Sequence, residues 1–358
     1  MAGSEFAAIG HQQDWPSIAA MVNGFRQQER EGARALSREE MTTLVDFLPP
    51  RVTSRFRVWG APKRPGIEAV YIETFIRPEE LAGKPGREVL EKVQRAIEVA
   101  GREGVRVATL GGFTSILVEA GAKIPEGAPA LTSGNTLTAA LILRGIERAL
   151  DLLGRSLSDE KVLVIGASGD IGSGVSRWLA GRTQTLTLAA RNLARLEREQ
   201  AALSAAGDVR ITTDIDSALG KATLVVATAS TTDHPISLQR CRPGTVLCDA
   251  GYPKNLEVRI PTGVRVFHGG MGCIGGIESH DGLLERFYRF PLRNTAHGCM
   301  LERAVLTLAG RHESFSQGRG RITPERIEEI WSLAEVNGTI PAPLFNSAGL
   351  WAEERAHV

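Results

Sequence analysis

Strand-like and helical patterns alternate through the middle of the chain. Six segments have the composition of buried strands: KVLVIG, TLTLAAR, VRITTD, ATLVVATAS, TVLCDAGYP and RVFHGG. Helical patterns separate the first four of these segments. The first helix ends near residue 181, the second spans 192–206 and the third lies near 217. This order of strand, helix and strand predicts a parallel sheet covered by helices. The segment RVFHGG is expected as the last strand of that sheet.

The patterns on either side predict further elements. Residues 6–134 mix short apolar runs, such as AVYI at 69–72, with an amphipathic helix at 86–101, and we expect an α/β domain there. Residues 136–154 predict a connecting helix that ends at a glycine. The tail predicts helices at 295–309 and 324–337. We therefore expect an N-terminal domain over 1–135, a parallel-sheet domain over 136–290 and a C-terminal helical segment over 291–358.

Composition narrows the function classes. The 358 residues are enough for about two domains, and 42% hydrophobic with 23% charged residues is typical of globular proteins. A net charge of +1 argues against nucleic-acid partners. The first residues lack the basic and then apolar order of a signal peptide, and polar residues interrupt the longest uncharged stretch, 127–143. We expect a cytoplasmic protein without a transmembrane segment.

A glycine-rich turn follows the first strand of the predicted sheet. The strand at 162–165 leads into Gly166, Ala167, Ser168, Gly169, Asp170, Ile171 and Gly172, which open a helix. Gly166 permits the tight turn, Gly169 lets the backbone approach a pyrophosphate, and Gly172 lets the helix pack on the strand. Helix N-terminal amides then bind phosphate. This context predicts a dinucleotide site.

The end of the second strand predicts which dinucleotide binds. A site for NAD usually places an acidic residue there, but this chain has Arg191 followed by Asn192. A guanidinium suits a 2'-phosphate, so we expect NADPH. The small residues Ala227, Thr228 and Ala229, which end the fourth strand, are expected beside the ribose on the nicotinamide side.

Four cysteines lie in the last third of the chain, with no CxxC pair, and no cluster of residues has metal-ligand spacing. A thiolate can take an acyl group from a thioester and later release it as an aldehyde after hydride transfer. Cys248 is expected in the core of a strand, and Cys241 between two arginines on the surface. Cys273, in a glycine-rich loop, and Cys299 remain as candidates for the nucleophile.

Helical geometry gives Cys299 modest support. On a helix from 295, Leu301, Ala304, Val305 and Leu308 form an apolar stripe, and Cys299 lies about 160° from Leu301. We expect Asn294 or Thr295 as N-cap, and Arg303 one turn ahead favours a thiolate. His297 is expected in the core with the stripe. Spacing alone leaves Cys299 and Cys273 equal, and a non-catalytic role for both stays open.

Several segments together resemble the long-chain fatty acyl-ACP reductases of cyanobacterial alkane biosynthesis. They are FAAIGH at 6–11, YIET at 71–74, LGGFTSIL at 110–117, TSGNTLTA at 132–139, VIGASGDIGSGVSRWL at 164–179, AARN at 189–192, AGYPKNL at 250–256 and FSQGRGRIT at 315–323. Their order and spacing carry the resemblance across nearly the whole chain. The stretch GGMGCIGGIESH departs from the family by being longer and richer in glycine, so no substrate contact is carried over there.

The resemblance implies an NADPH-dependent reductase that converts fatty acyl-ACP, and less readily acyl-CoA, into fatty aldehyde through a cysteine acyl-enzyme. The family's catalytic cysteine begins a late helix, and its match is Cys299 in HGCMLERA. The resemblance alone also implies a response to Mg²⁺ and an aldehyde-deformylating oxygenase as partner. The N-terminal domain would then hold the acyl chain, with Asn135 and Thr136 as candidate pocket residues.

Two other functions stay open at this stage. One is a dehydrogenase that transfers hydride directly to a small carbonyl, as in shikimate-dehydrogenase-like proteins, which needs no cysteine. The other is a non-catalytic NADPH-binding module, which would bind the cofactor without consuming it.

Overall fold

The computed structural model describes residues 3–61, 65–81, 86–115, 123–229, 236–252, 254, 256, 259–280, 290–318 and 320–356. The strands are β1 (Phe6–Gly10), β2 (Arg51–Trp59), β3 (Ile67–Glu73), β4 (Val107–Leu110), β5 (Ala130–Thr132), β6 (Lys161–Ile165), β7 (Thr185–Ala189), β8 (Val209–Thr212), β9 (Leu224–Ala227), β10 (Val246–Asp249), β11 (Arg265–His268), β12 (Met271–Cys273), β13 (Gly276–Ser279), β14 (Thr295–His297), β15 (Ile340–Pro341), β16 (Phe345–Asn346) and β17 (Gly349–Leu350). The α-helices are α1 (Trp15–Glu29), α2 (Arg38–Phe47), α3 (Arg87–Arg102), α4 (Asn135–Leu152), α5 (Asp170–Leu179), α6 (Leu193–Leu203), α7 (Ile215–Leu219), α8 (Gly298–Leu308) and α9 (Pro324–Val336).

Contacts group the chain into two compact units. Unit 1 comprises Met1–Gly134, Ile274–Gln317 and Leu333–Thr339. Unit 2 comprises Asn135–Cys273, Gly318–Ser332 and Ile340–Val358. The C-terminal third therefore contributes to both units, while the domain ranges 1–135, 136–290 and 291–358 stay a prediction.

Unit 1 is built on a mixed sheet with strand order β13-β2-β3-β1-β4-β5. Strands β3, β1, β4 and β5 run parallel to one another. Strand β2 pairs antiparallel with β3, and β13 pairs antiparallel with β2. Alternate residues point to opposite faces. Helix α3 covers one face through its buried Val89, Val93, Ala96, Ile97 and Ala100, and α8 packs on β1, β3 and β4. Because Thr109 of β4 bonds to α8 while its neighbours Ala108 and Leu110 pack with α3, α8 lies on the opposite face.

Unit 2 is built on a six-stranded sheet in the order β11-β10-β9-β6-β7-β8, and every neighbouring pair is parallel. Counted from β6, this is the order 3-2-1-4-5-6 of a doubly wound Rossmann sheet. Strand β11 forms one edge of the sheet, as predicted. The topology confirms the predicted fold class, an α/β protein with a Rossmann-type parallel sheet.

Most predicted helices are observed within a few residues of their expected ends, but the start of α8 differs. The helix expected from Thr295 begins at Gly298, and its N-cap is His297. Asn294 adopts a left-handed conformation with φ of 61°. Its side chain accepts a hydrogen bond from the Ile277 N–H at 3.1 Å and donates to the Gly275 oxygen at 3.3 Å. Asn294 therefore stabilises the turn before β13 instead of capping the helix.

Two further features differ from expectation. Residues 276–279 form strand β13, which adds to the edge of the first sheet beside β2, although the sequence predicted no strand there and placed these residues in the parallel-sheet domain. Cys273 lies on strand β12, paired with Ile340 of β15, and not in a loop.

Among the described helices, none combines the length and the apolar run that crossing a bilayer requires.

Candidate active site

The glycine-rich turn of unit 2 has the geometry expected of a phosphate-binding loop. Gly166 has φ of 84°, which a residue with a side chain rarely adopts. A Cβ on Gly172 would lie 2.3 Å from the Gly166 oxygen, so only glycine lets α5 start this close to the turn. Gly169 is the N-cap of α5. The N–H groups of the first helical turn therefore begin beside the end of β6, and the start of a helix favours an anion.

The other residues of this turn divide between interior and surface. Ala167 and Asp170 are buried, whereas Ser168 and Ile171 are half-buried. The Asp170 carboxylate accepts a hydrogen bond from the Asn135 amide at 2.8 Å. The Asp170 side chain is therefore directed to the start of α4. The Asn135 side chain is held by this hydrogen bond within unit 2, and its place in a substrate pocket stays a prediction.

Arg191 and Asn192 lie at the carboxyl end of β7, as the strand pattern predicts, and both are exposed. The Asn192 oxygen caps α6 by accepting from the Arg195 N–H at 3.0 Å. Arg191 forms no ion pair with the residues that the structure describes. Two strands away, Ala227 is buried, Thr228 donates through its hydroxyl to the Ile165 oxygen at 2.9 Å, and Ala229 is half-buried. The parallel topology places all these residues at one edge of the sheet, the edge where such folds bind ligands.

Cys299 is the second residue of α8, in unit 1, and lies against two other segments: β4 with the turn that follows it, and Gly134 after β5. The Thr109 hydroxyl of β4 donates to the Cys299 oxygen at 2.9 Å. A Cβ on Gly111 would lie 3.7 Å from the Cys299 sulfur, so the turn after β4 faces the thiol directly. A Cβ on Gly134, which has φ of 69°, would lie 2.2 Å from the Cys299 Cα. Gly134 is therefore required for α8 to start where it does.

Opposing effects act on the thiol of Cys299. Burial of the sulfur raises its pKa, and the Glu302 carboxylate raises it further. The backbone N–H groups of Gly112, Met300 and Cys299 itself favour the charged sulfur and so lower the pKa. The balance holds the pKa above the usual cysteine value. These N–H groups can nevertheless stabilise negative charge when it forms at the site.

Glu302 lies one helical turn after Cys299 and is fully buried. Its carboxylate accepts hydrogen bonds from the Thr132 hydroxyl at 2.6 Å and from the Ser316 hydroxyl at 2.8 Å. The Ser316 N–H also donates to the Thr132 hydroxyl oxygen at 2.9 Å. This triad joins α8 to β5 and to the segment after α8, and so fixes the helix that carries Cys299.

Arg303 does not have the predicted role. Its guanidinium is fully buried and points to the Glu313 oxygen, 3.4 Å and 3.5 Å from its two terminal nitrogens. Burial lowers the pKa of Arg303 to about 10. Since Glu302 and Arg303 are as buried as the apolar stripe, the stripe did not distinguish a functional face of α8.

The remaining cysteines differ in environment. Cys248 is fully buried in β10, as predicted, and burial raises its pKa strongly. Cys241, expected on the surface, is buried in the core of unit 2, and burial raises its pKa to about 11. The two flanking arginines point to solvent and leave the sulfur against apolar neighbours. Cys273 is half-buried on β12.

Four histidines lie in different environments, and one of them, His297, differs from the sequence prediction. His297, expected within α8, is half-buried and precedes the helix, with its ring edge-on to Phe290. Burial lowers the pKa of His268, at the end of β11, to about 4. His280 is exposed and pairs with Glu68 at 2.8 Å. His11, for which the sequence gave no role, is buried at the end of β1 and bonds to the turn that faces Cys299.

Sequence reasoning missed most of the residues around Cys299. They are His11, Gly111, Gly112, Thr132, Gly134, Glu302 and Ser316, and several lie in segments that were noted only for their resemblance to a family. No local periodicity marks them, because the site is assembled from distant parts of the chain. Among the described residues, no group of three histidine, cysteine or acidic side chains has the geometry of a metal site.

Comparison with known proteins places the chain in a family. The long-chain acyl-[acyl-carrier-protein] reductase of Synechococcus elongatus is 33% identical over 340 residues, which cover 89% of this chain and 96% of that protein. This chain belongs to the long-chain acyl-ACP reductase family. Membership in this family makes it an oxidoreductase and confirms the resemblance that the sequence motifs indicated.

More distant similarities accompany this acyl-ACP reductase relationship. The aminotransferase PigE of a Serratia species is 29% identical over 278 residues, covering 75% of this chain but 32% of that protein. The nucleotide-binding domain of glutamyl-tRNA reductase from Thermoplasma volcanium covers 36% of this chain at 20% identity, with a TM-score of 0.28 and 84% of its own length matched. At this level of similarity, neither bears on substrate or mechanism. No protein-family model matches the chain.

Proposed function

We propose that the chain reduces a fatty acyl thioester, carried by acyl carrier protein or CoA, to a fatty aldehyde, with NADPH as hydride donor and Cys299 as nucleophile. One observation carries the proposal: Cys299 begins a helix in unit 1 and its sulfur lies against the turn after β4. Backbone N–H groups of that turn and of the helix start favour the charged form of the sulfur. This environment supports the negative charge that forms when a thiolate attacks a carbonyl carbon.

The first step is thioester exchange. The Cys299 sulfur forms a bond to the acyl carbon, the carrier's sulfur leaves, and the proton lost by Cys299 balances the one gained by the carrier thiol. The N–H groups of Gly112 and Met300 lie where they can stabilise charge near the sulfur. Glu302, held by Thr132 and Ser316, keeps the start of α8 in place during this exchange.

The cofactor proposal rests on the turn of unit 2. The backbone of Gly166–Gly172 and the start of α5 fit a pyrophosphate, because a Cβ at Gly166 would clash with the backbone of Ala229, just after β9, and a Cβ at Gly172 would clash with the backbone of Gly166. The exposed guanidinium of Arg191 would hold the 2'-phosphate, with Asn192 beside it. When bound, NADPH would supply the hydride that converts the Cys299 thioester into aldehyde and releases the cysteine as thiolate, which takes a proton from water.

Other parts of the prediction rest on family resemblance. The order of preference between acyl-ACP and acyl-CoA, a response to Mg²⁺ and an aldehyde-deformylating oxygenase that consumes the product all come from that source. No step above uses magnesium.

Mass spectrometry tests the nucleophile. The full chain, freed of cofactor, is mixed with a long-chain acyl-CoA and analysed intact and after peptide mapping. We expect one acyl group, located on Cys299. An adduct on Cys273 would keep the chemistry and move the nucleophile, whereas a chain that stays unacylated would contradict the covalent route.

A further inference from the structure

His11 is held between two backbone groups at the end of β1. Its Nε2 atom accepts a hydrogen bond from the Phe113 N–H at 3.0 Å. Its Nδ1 atom lies 3.2 Å from the Gln12 oxygen, which can only accept, so the ring proton is on Nδ1. The side chain is 3% exposed. These contacts fix both the tautomer and the orientation of the ring.

Burial keeps this ring neutral. It lowers the pKa of His11 to about 4, so Nε2 keeps its lone pair at neutral pH. An imidazolium ring would have a proton on Nε2 and could not accept the Phe113 N–H. Since both ring nitrogens are engaged by backbone groups, His11 is in no position to act as the base for Cys299.

The residue that His11 holds adjoins the N–H group that faces Cys299. The turn after β4 is anchored to β1 because the Gly111 N–H donates to the Ile9 oxygen at 2.8 Å. Within the turn, the Thr114 hydroxyl donates to the Gly111 oxygen at 2.9 Å. Gly112, with φ of 57°, connects these anchors to Phe113. The turn lies against the thiol, since a Cβ on Gly111 would be 3.7 Å from the Cys299 sulfur, and the Gly112 N–H favours the charged form of that sulfur.

We infer that His11 is a positioning residue: by accepting the Phe113 N–H, it holds the Gly112 N–H on the sulfur of Cys299 and so supports the thiolate. The inference deepens the proposed function: His11 matters for turnover only if Cys299 is the nucleophile, as proposed above. The contact is between His11 and the backbone of the turn, so it exists whether or not an acyl group is transferred.

The shape of the replacement side chain provides the test. In His11→Gln, the amide oxygen reaches the position of Nε2 and can accept the Phe113 N–H. In His11→Asn, the shorter side chain reaches only the position of Nδ1. His280→Gln is the matched control, since His280 is an exposed histidine on the same unit.

The readout is the pH dependence of alkylation of Cys299 by iodoacetamide in the full chain, measured by peptide mapping. Cys248 on the same maps reports unfolding, because it is fully buried in the folded protein. We expect His11→Asn to move the midpoint of the Cys299 profile upward by roughly half to one pH unit. His11→Gln and His280→Gln should keep the profile of the unmodified chain.

The inference is overturned if His11→Asn leaves the midpoint unchanged, or if His11→Gln shifts it as far as His11→Asn. Where His11→Asn also exposes Cys248, ¹⁵N NMR of the unmodified chain decides: a neutral ring with its proton on Nδ1 supports the inference, and a proton on Nε2 at pH 7 contradicts it. Failure to form an acyl adduct, with the alkylation shift still present, would refute the proposed function and leave the positioning role intact.

Discussion

The two sites of this chain are built in different ways. The turn of unit 2 is continuous in sequence: Gly166–Gly172 follows directly on β6 and contains the turn and the start of α5. Its glycines are explained by contacts within a few residues or with the residues just after β9. The site of unit 1 brings Cys299 together with the ends of β1, β4 and β5 and with the segment after α8. The first is a local motif, and the second exists only once the sheet has formed.

This difference determines how each site should respond to change. A local motif transmits a substitution to its own ligand, whereas an assembled site transmits it to the packing of several segments. Effects on stability and on binding should therefore be separable at some positions of the unit 2 turn, whereas substitutions at the backbone contacts that assemble the unit 1 site should change stability and function together.

The largest effect is expected at the nucleophile. Cys299→Ser should lower kcat by at least about 1000-fold, because a hydroxyl at this position is a far weaker nucleophile, while NADPH binding is retained. Cys273→Ser is the matched control and should keep near-normal turnover. Steady-state aldehyde formation and NADPH titration measure the two properties. Turnover that survives Cys299→Ser would favour direct hydride transfer to a carbonyl.

Gly134→Ala tests the assembled site. The new Cβ would meet the Cys299 backbone at 2.2 Å and would also require a left-handed backbone, so we expect a loss of about 3 kcal/mol or more in the free energy of unfolding, together with loss of acylation. Gly127→Ala is the control, with φ of 73° but open space around it. It should cost only the conformational strain, about 1–2 kcal/mol. Equal losses in urea unfolding would show that the contact with Cys299 is unimportant.

Glu73, buried at the end of β3, gives unit 1 a pH dependence. Burial raises the pKa of Glu73 to about 7, although Gln12 donates to its carboxylate at 2.8 Å. Because the folded-state pKa lies above the unfolded one, this group favours folding fully below about pH 4.5, and the benefit is lost as pH rises through 7. The difference amounts to at most about 3 kcal/mol.

Glu73→Gln should remove that loss, so its stability should exceed that of the unmodified chain above pH 7 and approach it near pH 5. Urea unfolding at a series of pH values measures the difference. Parallel curves for the two proteins would show that Glu73 titrates normally.

The turn of unit 2 should separate stability from binding. Gly172→Ala places a Cβ 2.3 Å from the Gly166 oxygen and should lower both stability and NADPH affinity. At Gly169 a Cβ would meet only the Gly166 oxygen, at 3.2 Å. Gly169→Ala should therefore unfold within about 1 kcal/mol of the unmodified chain but bind NADPH more weakly. Thermal unfolding and cofactor titration compare the pair, and unchanged affinity in Gly169→Ala would remove the pyrophosphate from this position.

The smallest effect is expected at Arg191. Arg191→Ala should weaken NADPH binding about tenfold and leave NADH binding unchanged, because a charge-assisted hydrogen bond to the 2'-phosphate would be lost. Fluorescence titration with both cofactors measures the ratio. Equal losses for both would show that Arg191 does not read the 2'-phosphate.

The sequence predicted the sheet of unit 2 and its glycine turn because both follow from local rules of strand, turn and helix order. It misplaced the start of α8, because Asn294 uses its side chain to bond Gly275 and Ile277, a contact that no pattern within the helix reveals. It likewise placed Cys241 on the surface from its arginine neighbours. The sequence could not predict His11 and Gly134 as site residues, because their roles depend on which strand ends lie together in the folded protein.

The most direct test follows the acyl group through the reaction. The chain is acylated on Cys299, separated from excess acyl thioester, and then mixed with NADPH that has deuterium in the transferable position of its nicotinamide. The account predicts that the acyl group leaves Cys299 as aldehyde with one deuterium at its first carbon, in an amount equal to the acyl-enzyme. Aldehyde without deuterium, or an acyl-enzyme that persists with NADPH bound, would contradict it.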